Sequence, residues 1–239
     1  MHFFPVRAIT LDLDDTVWPI APAIDRAEDA LDAWLQRHAP RAAARWPLAA
    51  RRRLRQQCDL ERPHRAHDMT AQRRWMIERM LAEAGEDVAL ASSAYDAYFA
   101  ARCEVEHYDD SVPSLERMAA RLPLAALSNG NACLRTIGLM HLFRFQLGAG
   151  EHGAGKPEPG IFHAACARLG HDPGVVLHVG DDVRTDIEGA QRAGLRTAWI
   201  NREGATWPRR MPPPDLEFTT LTALADWLDA ARHPESMSA

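Results

Sequence analysis

The sequence predicts an α/β fold, a doubly wound parallel sheet whose first strand is followed by an all-helical insertion. Three observations indicate this fold. Short apolar segments alternate with helical segments after Ser111, which is typical of βαβ units and a mostly parallel sheet. Apolar residues between about residues 22 and 105 recur instead at helical spacing. An apolar run at residues 6–13 ends in carboxylates directly before that stretch, so the insertion leaves the sheet at the strand end where open α/β sheets bind ligands.

The elements of the sheet are predicted in chain order from these patterns. The first strand covers about residues 6–13, and later strands fall in the segments PLAALSNG, FQLGAG, VVLHVGDD and RTAWI. Helices are expected at SLERMAARL, near 132–139, over 157–169 and near 185–193. Pro157 suits the first position of its helix, and Gly194 suits the C-terminal end of the last one. The proline-rich WPRRMPPP at 207–214 is expected to be a surface connection.

Two domains follow from this order of elements. The core domain is predicted over residues 1–18 and 108–239, and the helical cap domain over 19–107. Apolar side chains recur at near-helical spacing in the cap, including Ile24, Leu31, Leu35, Trp75, Met76, Met80, Tyr95, Tyr98 and Phe99.

Composition and charge exclude several classes of protein. Hydrophobic residues make up 46% of the 239 residues and the net charge is −5, which gives no global attraction to nucleic acid or an anionic membrane. No apolar run approaches the roughly 18 residues that span a bilayer. The segment from Met1 to Pro5 lacks the basic and apolar regions of a secretion signal, so a cytoplasmic location is expected. The four cysteines lie far apart and show no metal or redox spacing.

Lysine usage singles out one residue. The chain has 28 Lys plus Arg, and Lys156 is its one lysine. Arginine and lysine differ where a compact point charge on a thin stem is needed rather than a planar fork. Lys156 is therefore the first cation expected to be chemically required.

Polar residues follow several predicted strands at the point where each strand ends. Three carboxylates, Asp12, Asp14 and Asp15, follow the first strand. The groups Ser128-Asn129-Gly130, Lys156 and Gly180-Asp181-Asp182 occupy corresponding places, with Asp186 one helical turn beyond the last of them. Each group has a structural interpretation as a turn, a helix cap or a surface cation. Because parallel strands bring these ends to one edge of the sheet, we expect the groups to converge there. A hard cation at that edge would explain why three carboxylates stand so close together.

Four motifs in the same order resemble those of the haloacid dehalogenase-like (HAD) phosphatase superfamily. They are DLDDT at 12–16, LSNG at 127–130, Lys156 within GKPEPGIF, and GDDVRTD at 180–186. The helical insertion resembles the small α-helical cap of that superfamily. The resemblance implies a HAD-like core, a Mg²⁺-dependent phosphatase activity and an aspartyl-phosphate intermediate.

The resemblance also implies roles for the catalytic residues. Asp12 is the nucleophile, and Asp14 protonates the leaving oxygen and later activates water. Lys156 stabilises charge on Asp12 and on the transferred group. The phosphate-binding residues implied are Thr16, Ser128, Asn129 and Lys156.

A Mg²⁺ site is implied at the same strand ends. Its ligands are the carboxylates of Asp12 and Asp181 and the backbone carbonyl of Asp14, and Asp186 orients the waters of the ion. Asp15 and Asp182 are expected to have structural roles, Asp15 in the loop that leaves the strand and Asp182 at the start of a helix. His178, within its strand, is expected to be a hydrogen-bonded core side chain.

The cap sequence bears on the substrate. Residues 37–79 hold twelve arginines against four acids, which is typical of solvated helix faces and also of a field that attracts an anion. Asp68 or Thr70 is expected to cap the following helix, and His67, Asp68 and Arg73 are the candidates for a specificity patch.

Longer segments, SNGN, GAGEHGAGKP, LHVGDDVRTDIEGAQRAG and HDMT, are similar to a bacterial subgroup of flavin-pathway phosphatases. The resemblance implies action on ribitylaminouracil phosphate and flavin mononucleotide (FMN) in riboflavin biosynthesis. Trp18 departs from the subgroup, in which a smaller side chain or tyrosine is usual.

Several alternatives stay open at this point. A nucleotide, phosphoglycolate or sugar phosphatase, or a phosphomutase, would share all four motifs. A haloacid dehalogenase would share Asp12 but has no use for an acid at position 14 or for a metal. A phospho-receiver domain has no room for the helical insertion. The expected partner is a small phosphorylated metabolite, not nucleic acid or a membrane, and the sequence does not indicate an oligomeric state.

Overall fold

A computed structural model describes residues 4–230 of the chain, and these residues divide into two compact units. The core unit contains the chain up to Pro19, His107–Ser128 and the chain from Gly138 onward, and the helical unit contains Ile20–Glu106 with Asn129–Ile137. Segment 129–137, predicted as part of the core domain, thus groups with the helical unit. The outermost residues of the predicted core domain, 1–3 and 231–239, lie outside the described part of the chain.

The elements are as follows, in chain order. The strands are β1 (Ala8–Leu11), β2 (Leu124–Ser128), β3 (Phe145–Gly148), β4 (Val176–Gly180), β5 (Arg196–Ile200) and β6 (Leu216–Phe218). The helices are α1 (Ile20–His38), α2 (Pro40–Arg45), α3 (Leu48–Glu61), α4 (Met69–Glu83), α5 (Ala91–Arg102), α6 (Ser111–Ala119), α7 (Leu134–Ile137), α8 (Ala149–His152), α9 (Pro159–Leu169), α10 (Gly189–Arg192) and α11 (Leu221–Ala230). A π-helical turn, Val183–Glu188, leads into α10.

The six strands form one parallel sheet in the order β3-β2-β1-β4-β5-β6. This order is that of doubly wound nucleotide-binding sheets, with the reversal of winding between β1 and β4. The predicted fold class is confirmed.

The strand register brings the carboxyl ends of three strands level with one another. Leu11 at the end of β1 pairs with Ala126 of β2 and with Val179 of β4. Asp12 therefore lies beside the last residues of both neighbouring strands. Ser128 and Asp181 follow at the same edge, which is the edge where doubly wound sheets bind ligands.

Burial explains why the central strands are mostly apolar rather than alternating. Every residue of β1, β2 and β4 is buried, as expected for a parallel sheet with helices on both faces. On one face Ile161 and Phe162 of α9 pack against apolar side chains of β1, β2 and β4. The packed sheet gives the polar residues at its edge a rigid base.

Parts of the structure differ from the sequence-based expectation. The prediction that Pro157 opens its helix is wrong, because α9 begins at Pro159 after Glu158. Pro157 instead stands in a turn closed by the Glu158 N–H, which donates to the Gly155 carbonyl at 3.0 Å. β6 and α11 lie in a segment for which no element was predicted.

The helical unit has a hydrophobic cluster of its own. Leu31 and Leu35 of α1, Leu54 of α3 and Met76 and Met80 of α4 are buried together. Their recurrence every three or four residues places them on one face of each helix. No helix among residues 4–230 is both long and apolar enough to cross a membrane.

Candidate active site

A tight turn follows β1 and carries the acidic cluster. The Val17 N–H donates to the Leu13 carbonyl at 2.8 Å, and the Asp15 N–H donates to the Trp18 carbonyl at 2.7 Å. Asp15 takes a φ of 59°, a left-handed conformation that Asp tolerates better than most residues. The turn thus holds the carboxylates of the motif in fixed positions relative to the sheet.

Lys156 lies at the centre of the site. Its Nζ donates to Asp12 Oδ1 and, at 2.6 Å, to Asp186 Oδ1. The Lys156 side chain is 2% exposed and that of Asp186 is 1% exposed. The one lysine of the chain is therefore a buried cation shared by two carboxylates, which a wider guanidinium could not replace without moving them.

Burial and charge together set the protonation of this network. Burial raises the pKa of Asp12 above its usual value, and Lys156 lowers it in part. Burial acts to lower the pKa of Lys156, but the charges of Asp12 and Asp186 outweigh burial and raise that pKa. The ammonium group therefore stays protonated. Burial also acts to raise the pKa of Asp186, but the charge of Lys156 outweighs it and holds that pKa below the usual range.

Asp186 is fixed by two further groups of the core unit, Asp182 and His178. Its Oδ2 accepts the Asp182 N–H at 3.0 Å, and His178 Nε2 lies 3.3 Å from its Oδ1. A carboxylate can only accept, so His178 carries its proton on Nε2, and Nδ1 accepts the Thr10 hydroxyl at 2.9 Å. Burial lowers the pKa of His178, so the imidazole is neutral, and the expectation of a hydrogen-bonded core histidine is confirmed.

Gly180 has a steric role beside Asp186. A Cβ atom at this position would overlap the Asp186 carboxylate. Since Asp186 is buried and bonded on both oxygens, it could not move aside cheaply. Gly180 is therefore required at the end of β4 because a carboxylate packs against its Cα.

Asp181 lies on the other side of the site. The Thr16 hydroxyl donates to its Oδ1 at 2.9 Å, and the Trp199 indole N–H donates to its backbone carbonyl at 2.7 Å. Burial, and then the charge of Asp186, raise the pKa of Asp181 to about 7. These contacts join the turn after β1 to the end of β4.

Three carboxylates are close enough together to hold a cation. Oxygen atoms of Asp12, Asp181 and Asp186 all lie within 4.8 Å of one another. Oxygen donors of this kind are the ligands that Mg²⁺ takes in proteins. Asp12 and Asp181 fit as direct ligands. Asp186, whose oxygens already accept from Lys156 and Asp182, fits the predicted role of orienting the waters of the ion. The backbone carbonyl of Asp14 as a ligand stays a prediction.

The other predicted residues have varied surroundings. Ser128 is buried at the end of β2, next to the strand that carries Asp12, whereas Asn129 groups with the helical unit. Asp182 caps the following turn by accepting the N–H groups of Arg184 at 2.9 Å and Thr185 at 2.6 Å, which confirms its expected structural role.

The helical unit contains a cavity of about 470 Å³. Its walls combine apolar side chains with an excess of cations: Ile20, Ile24, Asp25, Glu28, Arg51, Arg52, Arg55, Gln56, Met69, Arg73, Met76, Tyr98, Arg102, Gly130 and Asn131. Five arginines face two acids here, so the cavity favours a ligand with negative charge or several hydrogen-bond acceptors. We call this space the arginine cavity.

Arg73 is anchored inside the arginine cavity. One of its terminal nitrogens donates to Glu28 Oε1 at 2.6 Å, the other donates to the Tyr98 hydroxyl at 3.1 Å, and the guanidinium lies 4.2 Å from the centre of the Tyr98 ring. Glu28 also pairs with Arg51 at 3.2 Å. Arg51 pairs with Asp32 as well, at 2.7 Å, so two carboxylates balance these two arginines. The excess of positive charge in the cavity comes from the other arginines of its lining.

The remaining cap candidates lie outside the cavity lining. Asp68 caps α4, since its side chain accepts the Ala71 N–H at 2.9 Å. His67 is absent from the lining as well. More than half of the arginines in 37–79 form ion pairs with carboxylates of the same unit, namely Arg41, Arg45, Arg51, Arg55, Arg65, Arg73 and Arg79.

Comparison with known proteins identifies the family. A model of the haloacid dehalogenase-like hydrolases matches residues 6–194. The chain belongs to this family. The match covers most of the core unit and the whole insertion, so it includes all four motifs and confirms the resemblance drawn from them.

Similar proteins within this family include phosphatases and a dehalogenase. The chain is 34% identical over 227 residues to the 5-amino-6-(5-phospho-D-ribitylamino)uracil phosphatase YigB of Escherichia coli K12, covering 92% of this chain and 94% of that protein. It is 34% identical over 133 residues to the phosphoserine phosphatase of Thermus thermophilus, covering 53% of each. The crystal structure of a 2-haloacid dehalogenase from Pseudomonas syringae pv. Tomato DC3000 matches with a TM-score of 0.87 at 36% identity, over 94% of this chain and 99% of that one. The family match and the phosphatase relatives confirm the predicted hydrolase class.

Proposed function

We propose that this hydrolase removes phosphate from a small phosphomonoester by transferring it first to Asp12, with Mg²⁺ as cofactor. The observation that carries the proposal is the Lys156 network, in which one buried ammonium contacts Asp12 and Asp186 beside a third carboxylate, Asp181. A buried nucleophile needs its charge balanced, and a substrate phosphate adds more negative charge. A fixed cation and a metal site at one strand end meet both needs.

In the first step, an oxygen of Asp12 attacks phosphorus and the bond between phosphorus and the leaving oxygen breaks. Lys156 stabilises the charge that develops on the transferred group. Asp14 gives its proton to the leaving oxygen and becomes a carboxylate. In the second step, Asp14 takes a proton from water as that water attacks the phosphorus, which releases phosphate and restores Asp12.

Mg²⁺ bound by Asp12, Asp181 and the Asp14 backbone carbonyl would offset the repulsion between the nucleophile and the anionic substrate. Asp186 holds Lys156, while Thr16 holds Asp181 through its hydroxyl. Ser128 at the end of β2, Asn129 after it and Lys156 are the proposed phosphate ligands, whereas the hydroxyl proton of Thr16 is already donated to Asp181.

For the substrate we propose ribitylaminouracil phosphate or FMN, acted on in the cytoplasm as part of riboflavin metabolism. The similarity to YigB supports this proposal because it extends over almost the whole of both chains. The arginine cavity supports it chemically, because Arg73 and the neighbouring arginines supply donors suited to ring carbonyls and Tyr98 supplies an aromatic surface. Arg73 is thus the proposed specificity residue, while Asp68 acts as a helix cap.

The test is phosphate release from a panel of substrates with and without Mg²⁺. The panel holds FMN, ribitylaminouracil phosphate, pyrimidine nucleotides, phosphoglycolate and sugar phosphates. We expect metal-dependent release that is fastest on the two flavin-pathway compounds. Faster release from nucleotides or sugar phosphates would overturn the substrate but leave the chemistry standing, and no release from any compound would overturn both.

The dehalogenase is the second candidate, favoured by the match to the P. syringae structure. A dehalogenase needs neither a proton donor for an oxygen leaving group nor a cation. The presence of Asp14 on the turn and of Asp181 within reach of Asp12 therefore favours the phosphatase. Metal-independent halide release from 2-haloacids would decide for the dehalogenase.

A further inference from the structure

The indole of Trp18 makes a contact that the proposed reaction does not require by itself. Trp18 is fully buried, and its Nε1 donates to Asp14 Oδ1 at 2.8 Å. The Trp18 carbonyl accepts the Asp15 N–H at 2.7 Å, so the same residue closes the turn and reaches back across it. Its ring meets the His107 ring edge-on, with the ring centres 5.8 Å apart.

We propose that Trp18 is a positioning residue for the general acid of the reaction. Its indole N–H fixes the Asp14 carboxyl group in one orientation and assigns the transferable proton to Oδ2. This inference rests on the proposed function, since it takes Asp14 as the proton donor. It adds a residue outside the four motifs to the residues that control the reaction.

The chemistry of indole explains why the donor matters. An indole N–H donates and cannot accept, whereas a hydroxyl can do both. In a carboxylic acid the carbonyl oxygen is a much better acceptor than the hydroxyl oxygen, so the oxygen that accepts this N–H is the carbonyl one. The bond to Trp18 therefore favours the acid form of Asp14 that carries its proton on Oδ2.

Burial makes the contact a rigid one. Trp18 has no exposed surface and its ring is held between the turn and His107, so few rotamers are open to it. The bond from this rigid indole fixes the position of Oδ1 in the half-buried carboxyl group of Asp14. Proton transfer is efficient only when the acid oxygen lies within hydrogen-bond reach of the leaving oxygen.

The proton balance of the step follows from this assignment. As Asp12 bonds to phosphorus, the electron pair of the broken phosphorus–oxygen bond stays on the leaving oxygen. That oxygen takes the proton from Oδ2 of Asp14. Asp14 becomes a carboxylate whose Oδ1 still accepts from the Trp18 indole, so the side chain is already oriented for the water step.

The test compares two leaving groups in one enzyme. Trp18→Phe keeps an aromatic ring in the buried site but removes the N–H. An alkyl phosphate such as FMN has a basic leaving oxygen that needs a proton, whereas 4-nitrophenyl phosphate has a leaving group that departs without one. We expect Trp18→Phe to lower kcat/KM about tenfold on FMN and less than about threefold on 4-nitrophenyl phosphate, since general acids contribute roughly 10²–10⁴-fold.

The comparison needs two controls. Trp207→Phe removes another indole N–H bond in the core unit, one to the Met211 carbonyl at 3.1 Å, and should leave the ratio of the two activities unchanged. Asp14→Asn should change that ratio more than Trp18→Phe does. Adding Trp18→Phe to Asp14→Asn should then change the ratio no further. Partial unfolding of a variant lowers both of its activities by the same factor, because the same enzyme sample is measured on both substrates. The ratio of the two activities is therefore unaffected by it.

The outcomes separate this inference from the proposed function. If Asp14→Asn changes the ratio and Trp18→Phe does not, Trp18 has no positioning role and the phosphatase chemistry stands. If neither variant changes the ratio, Asp14 is not the proton donor, and that part of the proposed function fails together with the inference. A ratio that changes equally in Trp207→Phe also contradicts the inference.

Discussion

The two units of the protein use buried cations in different ways. In the core unit one lysine, Lys156, contacts two carboxylates and lies next to β1 and β4. In the helical unit five arginines and two acids line a cavity of about 470 Å³, where Arg51 and Arg73 both pair with Glu28. The lysine is balanced by its carboxylates, whereas arginines outnumber acids in the lining of the cavity.

This difference separates chemistry from recognition. A point charge between two carboxylates suits one role, the stabilisation of charge at a fixed atom. Planar guanidinium groups on the wall of a cavity suit varied acceptors and can adapt to the ligand. We therefore expect changes in the Lys156 network to abolish turnover on every substrate, and changes in the arginine cavity to shift preference between substrates.

The largest effect is expected from Asp12→Asn. The amide has the same shape but is not a nucleophile, so turnover should fall roughly a thousandfold or more on all substrates. Phosphate release measured beside Asp182→Asn checks this, because Asp182 acts as a cap and its variant should remain active. A residual activity above about a tenth of the wild type in Asp12→Asn would contradict the assignment of the nucleophile.

A smaller but still general loss is expected from Lys156→Arg. The charge is kept, yet the planar guanidinium does not fit between Asp12 and Asp186, and kcat should fall about a hundredfold on FMN and aryl phosphates alike. The matched control is Arg168→Lys on α9, which makes the reverse exchange at an exposed pair with Glu151 and should change kcat little. Equal activity of Lys156→Arg and the wild type would show that any cation suffices.

A selective effect is expected from Arg73→Ala. Loss of the guanidinium beside Glu28 and Tyr98 should raise KM for FMN about tenfold and change kcat/KM on 4-nitrophenyl phosphate less than about threefold. Arg74→Ala, its exposed neighbour on α4 that stacks on Tyr95, is the control and should be near neutral. Equal losses on both substrates would place Arg73 in folding rather than recognition.

The smallest effect concerns pH and metal affinity. The pKa of Asp181 is raised to about 7, so below that pH a cation must displace a proton, and above it the carboxylate is already charged. Mg²⁺ affinity measured by calorimetry should therefore rise up to about tenfold from near pH 6 to near pH 8. Binding near pH 6 should also release a proton. An affinity that does not change with pH would contradict a direct role for Asp181.

Much of the core site could be predicted because its determinants are local in sequence. Asp12, Lys156 and Asp181 each stand at a strand end or a helix start, and parallel strands bring those ends together whatever the rest of the chain does. The contacts of the arginine cavity could not be predicted in this way. Glu28 and Arg73 are 45 positions apart on different helices, so their pairing depends on tertiary packing.

The remaining differences between the sequence-based expectations and the structure also arise from tertiary packing or from ambiguous local patterns. Pro157 and Pro159 both satisfy the rule for a first helical position, and local pattern alone does not choose between them. His178 lies in an apolar strand, and its bond to Asp186 depends on the π-helical turn that follows β4. Trp18 departs from the related motif in the sequence itself, but its contact with Asp14 depends on the geometry of the turn.

The central claim is that phosphate passes through Asp12. The most direct test is to mix enzyme, Mg²⁺ and FMN, quench with acid within one turnover, and map phosphorylated peptides by mass spectrometry. We expect phosphate on the peptide that contains Asp12, absent from Asp12→Asn and lost as free phosphate appears. Free phosphate forming at the wild-type rate with no phosphorylated Asp12 peptide at any time would contradict the claim.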